Sequence, residues 1–158
     1  MKIKTWKLRF SSAIKINKGF TLIEMLVVIS LIGILAALAM VSFSSVQKQA
    51  RDTARKSDLK QYQTATESYA SKNNGGYFVS ATAQTASSGT YCTALGIGTC
   101  PADPKSPTTD YKYISDGTNY VLWGTLENKT PTAYWVVCSS GKNGERTTAP
   151  TTAVCPIP

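Results

Sequence analysis

The sequence predicts an α+β protein. A long N-terminal helix, membrane-spanning in its first half, packs against a small antiparallel sheet of three to four strands. Three observations carry this. Residues 20–41 are almost wholly apolar. Residues 42–72 contain no proline or glycine and repeat apolar side chains at three- and four-residue steps, the period of a helix with one buried face. Residues 110–139 hold three short runs of strand character separated by turn residues, which implies an antiparallel meander.

The first 19 residues are a basic leader. Lys2, Lys4, Lys7, Arg9, Lys15 and Lys18 account for six of the eight net positive charges and have no acid among them. The basic pI is therefore a property of this segment and says more about membrane orientation than about nucleic acid. Positive flanks stay on the cytoplasmic side.

The stretch KGFTLIEMLVVISLIGILAALAMV follows, from Lys18 to Val41. Residues 20–41 make about 33 Å of helix, enough to cross a bilayer. A secretory signal has a shorter apolar core, about 7–15 residues, and a small-residue cleavage site after it. This run instead leads straight into a polar helical pattern. Glu24 is the one charge inside it, and a charge at membrane depth costs about 2.5–3.5 kcal/mol on insertion scales.

Residues 42–72 form the soluble half of the same helix. Val46, Ala50, Ala54, Leu59, Tyr62, Thr66 and Tyr69 mark one apolar stripe. Lys48, Arg51, Arg55, Lys56 and Lys60 fall among the other positions and are expected on a solvated face, interleaved with Asp52 and Asp58. One helix is expected from about Phe20 to about Ser71. Asn73, Asn74, Gly75 and Gly76 tolerate left-handed backbone angles and end it. Residues 73–109, rich in Ser, Thr and Ala, read as a loop. DYKYI (110–114), NYVLWGTLE (119–127) and AYWVVCS (133–139) read as strands. Residues 140–158 have no periodicity and read as a tail.

The four cysteines, Cys92, Cys100, Cys138 and Cys155, all lie beyond the apolar run. An even count on the exported side predicts two disulfides. Three pairings exist, and the nearest-neighbour one, Cys92–Cys100 with Cys138–Cys155, is expected. It would pin the 73–109 loop and tie the tail to the third strand. The cysteines have no Cys-x2-Cys spacing for zinc. The chain has no histidine, which excludes His-based catalysis. With no phosphate loop, paired-carboxylate site or nucleophile elbow in the sequence, the expectation is a non-enzyme without a cofactor.

The segment 18–41 resembles the class III signal of prepilins, the precursors of type IV pilins and type II secretion pseudopilins. The resemblance rests on the basic leader ending in Lys18-Gly19, then Phe20-Thr21-Leu22-Ile23-Glu24, then the apolar helix. It implies that a membrane peptidase cuts between Gly19 and Phe20 and methylates the new amino group of Phe20. Glu24 would pair with the terminal amine of a neighbouring subunit and set the register of assembly. Partners implied are further copies of the chain, the prepilin peptidase, and an inner-membrane platform driven by an ATPase. Before assembly the protein would sit in the cytoplasmic membrane with its C-terminal domain outside. Afterwards it would lie in a surface or periplasmic filament. Many members carry a proline where this chain has Val41, so a straighter helix is expected here.

The first alternative is a pseudopilin of a secretion or competence pseudopilus. The second is a monomeric, signal-anchored binding domain. Three further ligands are conceivable: calcium, DNA and a sugar. Asp103, Asp110 and Asp116 offer oxygen for calcium, which needs six to eight donors. Lys48, Arg51, Arg55, Lys56 and Lys60 would form a phosphate track for DNA if exposed. Tyr111, Tyr113, Tyr120, Trp123, Tyr134 and Trp135 are expected to divide between core and surface, the exposed ones offering a sugar-binding patch.

Overall fold

The computed structural model describes residues 19–158. Most of the basic leader therefore lies outside the described residues. The chain divides into two compact units, Met1–Met40 and Val41–Pro158. Helix α1 (Leu22–Lys72) begins in the first and ends in the second.

In the first unit every described side chain is exposed. Leu, Ile, Val, Met and Ala occupy the whole circumference of the helix, so no single face is the core face. This is the pattern of a helix covered by lipid or by other helices. Among the described residues α1 is the one helix long and apolar enough to cross a membrane.

In the second unit α1 buries one stripe. Asp52, Arg55, Leu59, Tyr62, Thr66 and Ala70 are buried at steps of three and four residues. The expected stripe holds from Leu59 to Thr66 and fails before it. Val46 and Ala50 are exposed and Ala54 is half-buried; Asp52 and Arg55 take the inner positions instead. The helix ends as its sequence requires. Asn74 adopts φ 54°, and the Gly75 N–H donates to the Ala70 carbonyl at 2.8 Å, satisfying an orphan carbonyl of the last turn.

The sheet has five strands, not three to four. β1 (Ser80–Thr85), β2 (Lys112–Ser115), β3 (Tyr120–Leu126), β4 (Ala133–Cys138) and β5 (Asn143–Arg146) pair antiparallel in sequence order. The three expected strands form its centre. The two extra strands are its edges, SATAQT and NGER. Their register is fixed by backbone pairing with β2 and β4, so they need no apolar alternation to form. A short helix, α2 (Gly89–Leu95), also lies within the segment read as a loop, and buries Tyr91 and Leu95.

Period-2 alternation divides the central strands between two cores. On one face Tyr113, Tyr120, Leu122 and Val137 join Leu59 and Tyr62 of α1 and Tyr91 of α2. On the other face Ile114, Val121, Trp123, Val136 and Cys138 form a second cluster, packed by Tyr134 and by Cys155 and Ile157 of the tail. Helix and sheet approach closely at Gly124, where a Cβ would stand 3.0 Å from the Tyr111 ring and 3.5 Å from Leu59. The disulfides are Cys92–Cys100 and Cys138–Cys155, the expected pairing. The first secures α2 and its loop. The second holds the tail over the second core.

Candidate functional site

The N-terminal motif is built around the start of α1. Thr21 is the residue before the first helical turn, and Glu24 lies three residues on. The Glu24 carboxylate accepts from the Thr21 backbone N–H at 2.8 Å and from Thr21 Oγ1 at 2.8 Å. In return the Glu24 N–H donates to Thr21 Oγ1 at 3.3 Å. This reciprocal arrangement is a capping box, which satisfies donors left free at a helix start. The string TLIE already has the S/T-x-x-E signature, which reading Glu24 as a membrane charge and register device overlooks. Among the described residues no cation pairs with Glu24. Its neighbours Phe20, Ile23, Met25, Val27 and Val28 form an open apolar groove around it. Gly19 and Phe20 are exposed, and among the described residues nothing lies within 4 Å of where a Gly19 Cβ would be.

The basic residues of α1 do not make an exposed track, and the solvated-face expectation fails at its centre too. Arg55 is fully buried. It donates to Asp103 from Nε at 2.7 Å and Nη2 at 2.9 Å, to Asp52 at 2.8 Å and to Glu127 at 2.6 Å. Arg51 grips Glu127 with two bonds of 2.9 and 2.7 Å. The Asp52 carboxylate also accepts the backbone N–H groups of Glu127 and Asn128, each at 2.9 Å. Lys56 lies 4.2 Å over the Trp135 ring and 3.6 Å from Glu145. Two arginines of the five cations are thus consumed in holding α1 to the sheet domain, and Lys56 is partly engaged.

The electrostatics agree with that role. The Arg51 hydrogen bonds outweigh burial and, with Arg55, hold Glu127 down to about 2. Burial pushes Asp103 up, but hydrogen bonds from Arg55, Thr109 and the Lys105 N–H hold it below the ordinary carboxylate range. Burial opposes the charge on Arg55 as well, and its three carboxylate partners outweigh this.

The three aspartates considered for calcium are not brought together as a cage. Asp103 serves Arg55, Thr109 and the Lys105 N–H. Asp110 accepts from Ser106. Asp116 closes its turn by accepting from Thr118 and Asn119 N–H groups. Among the described residues no group of three or more His, Cys, Asp or Glu could hold a metal ion. The aromatic residues do not form a sugar platform either. Tyr111, Tyr113, Tyr120 and Trp123 are buried, and Lys56 lies over the half-buried Trp135.

Comparison with known proteins places the motif in a class. The prokaryotic N-terminal methylation motif matches residues 14–40. The type IV major pilin protein PilA of Myxococcus xanthus (strain DK1622) is 41% identical over 58 residues, which cover 37% of this chain and 26% of the relative. The match thus spans about a quarter of that relative's length. No solved structure matches the chain. The protein is therefore type IV pilin-like in its N-terminal segment, with a long apolar helix, a small antiparallel sheet and two disulfides.

Proposed function

We propose that the chain is a prepilin, cut between Gly19 and Phe20, methylated on Phe20, and assembled into a pilus or pseudopilus by packing of α1 against further copies. One observation carries this reading. The apolar helix surface of the first unit is exposed on every side, and no described part of the chain covers it. Lipid covers it first, and neighbouring helices cover it in the filament.

The capping box supports a mechanism for the change of environment. While the subunit is alone, Thr21 satisfies the Glu24 carboxylate. Cleavage creates a cation at Phe20, four residues before Glu24. In the assembled bundle the carboxylate pairs with the amine of a neighbour. Two groups that are each costly in an apolar medium then compensate one another, and wrong axial offsets leave both unpaired. Platform and ATPase components supply the work of extraction.

The test is Glu24→Ala in cells with an active peptidase. The variant is expected to be processed normally, while filament yield falls at least about tenfold, since an unpaired buried charge costs about 3–5 kcal/mol. Filament yield equal to that of the wild type contradicts the register role of Glu24.

A further inference from the structure

We propose that Phe43 and Val46 of one copy seat in the cleft beside Val79 and Val154 of a second copy. The inference rests on the filament reading above and names the surfaces that meet outside the membrane.

Across residues 43–158 the exposed large hydrophobic side chains are Phe43, Val46, Val79 and Val154, at 62, 57, 62 and 71% exposure. They fall into two patches. Phe43 and Val46 are three residues apart on α1 and share a face. Val79 and Val154 line one cleft of about 460 Å³ between β1, the end of β2 and the tail. Its lining includes Ala81 and Ile114, and its charged member is Asp116. Ile114 belongs to the second core, so the cleft opens onto apolar floor rather than onto a polar surface.

Lipid does not account for the helix patch. From Phe20 to Val46 the chain covers about 40 Å as a helix, against a hydrocarbon core of about 30 Å. With Phe20 at one edge of the core, Phe43 and Val46 stand beyond the other edge. They need cover from protein. Every copy carries both patches, one protruding from a helix and one concave. The charges complement each other: exposed Lys48 follows the helix patch, and exposed Asp116 stands on the cleft. Such charges fix orientation more than they add affinity. A contact between two different patches is head-to-tail, and one that does not close on itself builds an open filament. This is the geometry that the filament reading requires.

The test uses full-length protein in cells that assemble it. Val46→Cys and Val154→Cys are produced on separate, co-expressed copies. Both native disulfides are retained, and both new thiols replace exposed side chains. The expected result is a disulfide-linked dimer that needs both variants and disappears on reduction. Filaments seen by electron microscopy without this dimer overturn the inference and leave the filament reading standing. A dimer formed equally well by Val46→Cys alone also overturns it, because the contact would then join like patches. If neither filaments nor dimers form, the filament reading falls and the inference with it. Val154→Lys is an independent check. It is expected to leave the thermal midpoint unchanged and to lower fibre yield several-fold; unchanged yield overturns the proposal.

Discussion

Arg55 is the residue on which the second unit turns. Its guanidinium is fully buried and meets Asp52, Asp103 and Glu127. Taking these charges out of water costs several kcal/mol per ion, which is recovered only when every donor and acceptor is matched. Here the fork of Arg55 meets Asp103 with two bonds, and the carboxylates take further bonds from Arg51, Thr109 and three backbone N–H groups. Arg55→Met keeps the bulk and removes the charge, leaving the buried Asp103 carboxylate without its main partner. It is expected to destabilise the protein by about 3–5 kcal/mol, read as a lower denaturant midpoint in detergent. A change below about 1 kcal/mol would mean the network is only decorative. None of this was legible at the level of single residues. Arginine at a helical position reads as surface, because burial of charge requires partners. Those partners, Asp103 and Glu127, lie 48 and 72 residues away. The nearby signal was phase: Asp52 and Arg55 continue backward, at three- and four-residue steps, the stripe that Leu59 and Tyr62 define.

At the scale of elements, legibility followed apolar patterning. The three central strands alternate between two cores and were readable from that alternation, as was the helix, whose end was marked by Asn73 to Gly76. The edge strands β1 and β5 were not, because polar and small side chains at an edge carry no period and backbone pairing defines them. Helix α2 was hidden in a Ser- and Thr-rich stretch; its sequence is seven residues, GTYCTAL, too few to display a helical period. The cysteine count predicted what secures these weak elements. The Cys138–Cys155 bridge closes 17 residues, and Ile157 beyond it packs within 3.3 Å of where a Gly144 Cβ would stand. Replacing both cysteines by serine is expected to cost about 2–4 kcal/mol. Proteolysis should then begin within residues 147–158, while the helical circular-dichroism signal is retained. Unchanged protection of the tail would show that packing alone holds it over the second core.

At the scale of the whole molecule, the two units follow different rules. The second folds around its own cores and hides nearly all of its large apolar side chains. The first has an exposed apolar surface and a single carboxylate held by its own cap. A chain of this kind is incomplete by itself, and the proposed assembly supplies what each unit lacks. The methylation motif over residues 14–40 was legible in the sequence, whereas the cap that Thr21 makes with Glu24 was overlooked, although its chemistry is local. The proposed contact of Phe43 and Val46 with a second copy was not legible, because the cleft beside Val79 and Val154 exists only in the folded second unit. The measurement that tests the account most directly is the intact mass and N-terminal peptide of the protein from native membranes. The account predicts a chain that starts at Phe20 with one added methyl group. A chain that still starts at Met1, in cells where the peptidase is active, would contradict it.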